Sequence, residues 1–406
     1  MIDVVAEIGR FNAGRDPQRL AMKYQRIREN AFVFMRGTCH LFYQQLPDHK
    51  AFVKAPATWA CGDLHLENFG SYKGDNRLVY FDINDFDEAA LAPSTWDVLR
   101  FLTSVTLAAD SMQVSGKEAK ALNEGFLDTY FQTLANGKAR WIERDTAQGL
   151  VHDLLDSLRL RQRPAFLDAR TVRKGPRRLL RVDGKKALPA TDQQRRHVEK
   201  LLAGFASQQA KPEFFDVLDV ARRIAGTGSL GLERYSVLVR GKGAPDGHYL
   251  LDLKAATPSS LNKHLPVKQP KWPSQAHRVV SLQQRMQAVS MAFLHPIQDG
   301  APSYVLRALQ PSEDRVSLSG PGVDIAALQG VIKHMAQCLA WAQLRSSGRQ
   351  GSAIADELIE LGHTQKWRKA LLTSADDCAV QVQSDWATYA QAYDDGAFDP
   401  AHTLPA

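Results

Sequence analysis

The sequence predicts an α+β protein in two lobes: a large, mostly helical lobe and a small lobe built on an antiparallel sheet. Segments with apolar residues at helical spacing occupy 16–46, 94–136, 141–160, 274–291 and 323–346. Two shorter regions, 57–87 and 216–254, have strand character and are punctuated by Gly, Asp and Asn. The chain's 406 residues exceed one ordinary small core, and a hydrophobic content of 44% supports sizeable packed units. The expected organisation is 1–210 as one part of the large lobe, 211–320 as the small lobe, and 321–406 as helices completing the large lobe.

Asp16 suits an N-cap, with Pro17 at the first helical position and Leu20, Tyr24 and Ile27 following at helical spacing. A second apolar run, Ala31 to Leu46, carries Phe32, Phe34, Met35, Leu41 and Phe42. Arg36 within it reads as a side chain that lays its stem on apolar surface and keeps its head in water. Thr58-Trp59-Ala60-Cys61 leads as a strand into Gly62–Asn68; a turn at 73–76 precedes the strand Leu78–Phe81. Residues 158–200 are strongly basic, with Arg173-Lys174, Arg177-Arg178, Lys185-Lys186 and Arg195-Arg196. They are expected to form a mostly solvated insertion or linker with a short helix near 191–207. The tail from about 353 reads as mixed helix with a loose terminus.

A net charge of +7 and a pI near 9.1 favour anionic partners without choosing among them. Nucleic acid is not expected, because the basic run lacks interleaved aromatics and a binding module. Four cysteines, none at C-x-x-C spacing, exclude a zinc or dithiol motif and fit a reducing, cytoplasmic setting. The first residues do not read as a secretion signal, and no run of about 18 apolar residues suggests a membrane span. With no G-x-S-x-G, a hydrolase elbow has little support.

The chemistry concentrates in Cys61-Gly-Asp-Leu-His-Leu-Glu-Asn68 and Phe81-Asp-Ile-Asn-Asp-Phe-Asp-Glu88. Phosphoryl transfer needs a carboxylate to orient the acceptor hydroxyl and oxygen ligands to hold magnesium against phosphates. Asp63 and Asn68 have the Asp-x-x-x-x-Asn spacing that supplies a base and one metal ligand. Asp85 and Asp82 are both placed to be the second acid, and His65 to brace the loop. Ile224-Ala-Gly226-Thr-Gly228-Ser229-Leu-Gly231 is a G-x-G-x-x-G followed by a strand, Tyr235–Val239, rather than by a helix. A strand–loop–strand of this kind covers phosphates with backbone N–H groups, and Lys254 on the next strand is placed to grip them.

Gly62-Asp63-Leu64-His65-x-x-Asn68 resembles the catalytic loop of aminoglycoside phosphotransferases and choline-kinase-like enzymes. Asp85-Phe86-Asp87-Glu88, then Trp96-Asp97, resembles their metal-binding aspartate and the later aspartate that braces the loop. The resemblance implies a protein-kinase-like two-lobe fold, with Asp63 as base, Asn68 and Asp85 on magnesium, Asp97 bracing, and ATP and Mg2+ as cofactors. Asp82 is kept as the alternative ligand, since it lies at the commoner distance from Asn68. The chain also resembles an uncharacterised bacterial family of domains of unknown function, through Phe34-x-Arg36-Gly37, Asn84-Asp85-Phe86-Asp87-Glu88, Trp96-Asp97-x-x-Arg100, Gly226-x-Gly228 and Lys254.

Two departures qualify what the resemblance implies. The glycine loop and lysine follow the catalytic loop instead of preceding it, so the fold is expected to be circularly permuted, with the helix at 328–345 corresponding to the one that ordinarily precedes the catalytic loop. No glutamate occurs between Lys254 and Glu313 to pair with the lysine; Gln283, Gln284 or Gln287 would have to stand in. The expected activity is phosphoryl transfer from ATP to a hydroxyl of a small molecule. The alternatives are nucleotidyl transfer, a nucleotide-binding pseudoenzyme, and, with least support, a basic nucleic-acid-binding protein.

Overall fold

A computed structural model describes residues 2–175, 177–298, 300–310 and 314–399; Glu313, which bounds the glutamate-free interval, lies outside them. Among the described residues the chain forms fifteen α-helices and thirteen strands, and the strand pairings are antiparallel, as an α+β fold requires.

The chain opens with α1 (Val4–Asn12), α2 (Pro17–Ile27), α3 (Ala31–Gly37), α4 (Cys39–Gln44) and α5 (Ala51–Lys54). Asp16 caps α2 by accepting the Arg19 N–H, and Pro17 opens the helix. Four strands follow: β1 (Ala57–Ala60), β2 (Phe69–Lys73), β3 (Val79–Ile83) and β4 (Ala90–Pro93). β1 pairs with β4, Ala60 opposite Ala90, while β2 pairs with β3, Phe69 opposite Ile83. This register brings the loops 61–68 and 84–89 together at neighbouring strand ends.

The helical layer continues with α6 (Thr95–Leu107), α7 (Ala109–Met112) and α8 (Gly116–Ala135), the last started by a Ser115/Glu118 capping box. β5 (Ile142–Glu143) adds to β3 and precedes α9 (Gly149–Arg159). The chain then forms α10 (Arg163–Asp168), the hairpin β6 (Thr171–Lys174)–β7 (Arg177–Leu180), β8 (Ala187–Pro189) and α11 (Asp192–Ala206). Next come β9 (Val217–Arg223), β10 (Arg234–Val239), β11 (Tyr249–Ala256), α12 (Gln275–Met286), β12 (His295–Gln298) and β13 (Ser303–Ala308). The chain closes with α13 (Ile325–Ser346), α14 (Ala355–Thr364) and α15 (Arg368–Asp394).

One large core joins α13, α8, α6 and α15 to β1–β4, with Trp59, Trp96, Phe101 and Tyr130 fully buried. The Tyr130 hydroxyl donates to Gln343 Oε1 at 2.6 Å, so helices from the two ends of the chain share a polar tie as well as apolar packing.

The six-stranded sheet runs β12–β13–β11–β10–β9–β8. Because side chains alternate across a strand, its two faces differ in kind. Tyr235, Val237, Leu251 and Leu253 join Val198, Leu201 and Leu202 of α11 in a second core. The other register carries Arg234, Asp252 and Lys254, turned towards the large lobe. The basic segment carries its expected helix as α11, and it is tied to the sheet rather than free of it: β8 pairs with β9, and α11 packs on β9. Among the described residues no helix is long and apolar enough to cross a membrane.

Candidate active site

Three residues on one face of α6 hold the loop 61–68. Asp97, fully buried, accepts the Cys61 N–H on Oδ2 at 2.8 Å and the Gly62 N–H on Oδ1 at 3.0 Å. Ser104 Oγ accepts the Leu66 N–H at 3.2 Å. Arg100, also fully buried, donates from Nε and Nη2 to Asp63 Oδ1 at 2.9 and 2.5 Å, and from Nη2 to the Met35 carbonyl at 2.8 Å. At Gly62, φ is +83°, and a Cβ there would lie 2.3 Å from the Glu88 carbonyl oxygen, so the turn into Asp63 requires glycine.

Arg100 takes Oδ1 of Asp63, leaving Oδ2 4.0 Å from His65 Nε2. His65 Nδ1 accepts the Glu67 N–H at 3.1 Å, and its ring meets Phe32 edge-on. Burial, helped by the nearby Arg36 and Arg100 charges, holds His65 well below the usual imidazole range, so the ring is neutral. Burial pushes the Asp63 carboxyl up to about 6, against the pull of Arg100.

Asn68 is oriented by its amide. Its Nδ2 donates to the carbonyls of Asp63 at 3.0 Å and Asp85 at 3.3 Å, while its buried Oδ1 has no hydrogen-bond partner. Asp85 presents a side chain that is 43% exposed, with Oδ2 3.9 Å from Lys254 Nζ. Burial would raise its carboxyl, but the Lys254, Arg307 and Arg234 charges outweigh that and hold it below the usual carboxylate range. Asp82 lies elsewhere: it is buried, accepts the Ile83 N–H and pairs with Arg345 at 3.3 Å, outside the cleft that Asp85 lines. Among the described residues no group of three or more His, Cys, Asp or Glu side chains is arranged to hold a metal. A magnesium ion at Asn68 and Asp85 would thus draw its remaining oxygens from phosphate and water, as that ion commonly does.

The glycine loop joins β9 to β10, and Gly226, Gly228 and Ser229 line the same cleft as Asp63, His65, Asn68 and Asp85. The cleft is open to solvent and spans about 790 Å³ with the open solvent at its mouth included. Gly231 does not face it; a Cβ there would meet the Arg15 side chain at 2.8 Å. Arg15 donates to the carbonyls of Gly228 at 2.7 Å and Leu230 at 3.0 Å, and Lys23 adds a bond to Gly228 at 3.1 Å. The loop is therefore held from behind by α2 and the turn before it.

Lys254 is ion-paired with Asp87 and lies 3.9 Å from Asp85. The glutamines of α12 are engaged elsewhere or exposed: Gln283 bonds Gln287 at 3.2 Å, Gln287 bonds the Ile83 carbonyl at 2.7 Å, and Gln284 is exposed. Instead α12 contributes Arg278, which donates to the carbonyls of Ala89, Asp87 and Thr257 at 2.5, 2.8 and 2.9 Å and so fixes the segment that carries Asp87.

Sequence reasoning left several cleft residues without a role. Arg36, expected to snorkel, lines the cleft and pairs with Glu67 at 2.8 Å; Arg315 reaches the same carboxylate at 3.0 Å. Arg100 and Asp87 stand inside the quoted motifs, yet nothing in their spacing tells which carboxylate or lysine they meet.

A comparison with family profiles matches residues 15–392, and on that match the chain belongs to the family described as uncharacterized protein conserved in bacteria (DUF2252). Searches of curated proteins and of solved structures returned no match.

Proposed function

We propose that this chain is an ATP- and magnesium-dependent phosphotransferase, kinase-like in a permuted order, acting on a hydroxyl of a small molecule. The observation that carries the proposal is that two motif sets far apart in the chain line one cleft: Asp63, Asn68 and Asp85 on one side, Gly226, Gly228 and Ser229 on the other. The element order within the small lobe agrees. A glycine loop joins two antiparallel strands, the lysine stands on the third, and a helix follows, as in protein kinases. α13 packs against β1 and β3, where a helix preceding the catalytic loop in an unpermuted chain would lie.

In the proposed reaction Asp63 Oδ2 accepts a hydrogen bond from the acceptor hydroxyl and orients it, while Arg100 fixes the carboxylate through Oδ1. The orphaned Asn68 Oδ1 and the cleft-facing Asp85 carboxylate suit magnesium. Magnesium, when bound with the nucleotide, neutralises charge on the phosphates. Lys254, positioned by Asp87, would pair with phosphate oxygens, and the glycine-loop N–H groups would cover them.

Incubation with magnesium and ATP labelled separately at the α and γ positions tests the proposal, with water as the fallback acceptor. Release or transfer of γ label supports it. Transfer of α label would instead indicate nucleotidyl transfer. Nucleotide binding with neither label transferred would indicate a pseudoenzyme.

A further inference from the structure

A solvent-open chamber, about 1660 Å³ with the open solvent at its mouth included, lies beneath the six-stranded sheet and shares Asn68, Asp85, Gly226 and Arg315 with the cleft. Its chemistry is set by what the basic insertion covers. The apolar underside positions Ala221, Leu238 and Leu250 pack with Leu167 and Leu180 of the insertion, and the Leu180 N–H is pinned to Asp219 Oδ2 at 2.7 Å. The insertion thus covers part of the apolar underside, while Leu180, Leu250 and Leu309 still line the chamber.

The charged part of the lining is predominantly cationic, with Asp85 and Asp183 as its carboxylates. Arg223, Arg234 and Arg307 line the chamber and share one carboxylate, that of the fully buried Asp252, at 2.9, 2.6 and 3.4 Å. Three guanidiniums on one carboxylate leave positive charge in excess in a desolvated place, where uncompensated charge is costly. Arg223, whose Nη1 makes the 2.9 Å contact to Asp252 and whose Nη2 donates to the Gln310 carbonyl, is the most strained of the three: burial lowers its guanidinium to about 10 despite Asp252. At the rim the exposed Arg181 and Lys185 extend the cationic lining outwards from the sheet.

We propose that this chamber holds a chain of phosphates, and that the donor is recognised through that chain rather than through its base. Guanidinium forks match phosphate oxygens, and a phosphate chain supplies the missing negative charge along its length. The ligand class is a nucleoside triphosphate of any base, or an inorganic polyphosphate offering the same chain. The inference rests on the donor-site reading of the cleft given above.

Calorimetric titration of the full chain with magnesium and each of adenosine, AMP, ATP, CTP and inorganic tripolyphosphate tests it. Tripolyphosphate and CTP are expected to bind within about tenfold of ATP, and adenosine at least about a hundredfold more weakly, since the charge-assisted contacts lie on the phosphates. Adenosine or AMP binding within tenfold of ATP, or ATP binding without tripolyphosphate binding or competing, overturns the inference. If ATP in the latter case still delivers its γ label, the phosphotransferase proposal stands alone. If tripolyphosphate binds and no label moves, the chamber inference stands and the phosphotransferase proposal falls.

Arg307→Gln should weaken tripolyphosphate by at least about tenfold. Because loss of a buried guanidinium can also unfold the lobe, the exposed double variant Arg181→Glu/Lys185→Glu is measured alongside it. That variant should weaken tripolyphosphate by about tenfold with an unchanged melting temperature. Wild-type affinity in the double variant overturns the inference whether or not Arg307→Gln folds.

Discussion

The loop 61–68 and the glycine loop face each other across one cleft, yet they are held by different parts of the chain. The loop 61–68 is braced from inside the large core, by Asp97, Arg100 and Ser104 of α6, all three fully buried. The glycine loop is held by α2 and the turn before it, through carbonyls that accept from Arg15 and the buried Lys23, while the Gly231 carbonyl accepts the Asp16 N–H at 2.9 Å. The difference teaches where adjustability resides. The proposed base is fixed by a helix of the large core, whereas the glycine loop, proposed to cover phosphates, depends on a clamp supplied by residues 15–23.

Four experiments test or sharpen that contrast. The largest effect is expected at Asp63: Asp63→Asn should lower turnover by about 10²–10⁴-fold with nucleotide affinity nearly unchanged. Retained turnover would remove Asp63 from the role of base. With burial pushing the carboxyl up to about 6, the wild-type rate should fall as pH drops through that value, because protonation removes the acceptor of the hydroxyl's proton. A rate flat down to pH 4 would contradict the assignment.

Next comes the lysine. Lys254→Met should reduce nucleotide affinity or turnover by at least about tenfold, the equivalent of one charge-assisted contact. Asp87→Asn should produce part of that loss and add little to it in the double variant, since the two act as a pair. Full additivity would break the pairing.

A magnesium titration separates the two aspartates. Asp85→Ala should weaken magnesium–nucleotide binding by about tenfold or more, as loss of one of two protein donors implies. Asp82→Asn should instead act through stability, because Asp82 is buried against Arg345. The smallest effect is expected at the clamp: Arg15→Ala should raise the nucleotide dissociation constant by only about three- to tenfold, in line with two hydrogen bonds from a charged donor to a loop that retains others. An effect as large as that of Asp63→Asn would end the contrast between a fixed loop and an adjustable one.

The sequence carried the element pattern well where periodicity and caps agree. Asp16 and Pro17 start a helix where they should, and the strand–glycine loop–strand reading of 216–254 matches β9, β10 and β11. The proximity of Asp63, Asn68 and Asp85 was legible because all three sit in loops closed by two local hairpins. Two things were not legible. The partner of Lys254 was sought on the following helix, but it comes from the segment just after Asp85, a contact set by how the six-stranded sheet docks on the loop 84–89. The basic segment was read as a mostly solvated insertion or linker with a short helix, and the helix is there as α11; what escaped was its attachment, since its few apolar residues, Leu167, Leu180, Ala187 and Leu188, decide its place by packing on the sheet. Sparse apolar positions in a charged run give no period to detect, so tertiary burial overrode composition.

The four cysteines are free and buried, and burial raises each thiol above its ordinary range, so none presents a reactive thiolate at the surface. The protein therefore contains its own opening clocks. Cys61 sits in the catalytic loop between the Asp97 contacts, whereas Cys39 lines the cleft that the glycine loop borders. An alkylating reagent can reach either only when the structure around it opens, so the rate of modification at each position measures local opening free energy. Cys39, whose Sγ donates to the Gly62 carbonyl at 3.5 Å, should label faster than Cys61 and slow when a phosphate-bearing ligand fills the cleft, which would turn two inert side chains into stopwatches for the loop that carries Asp63.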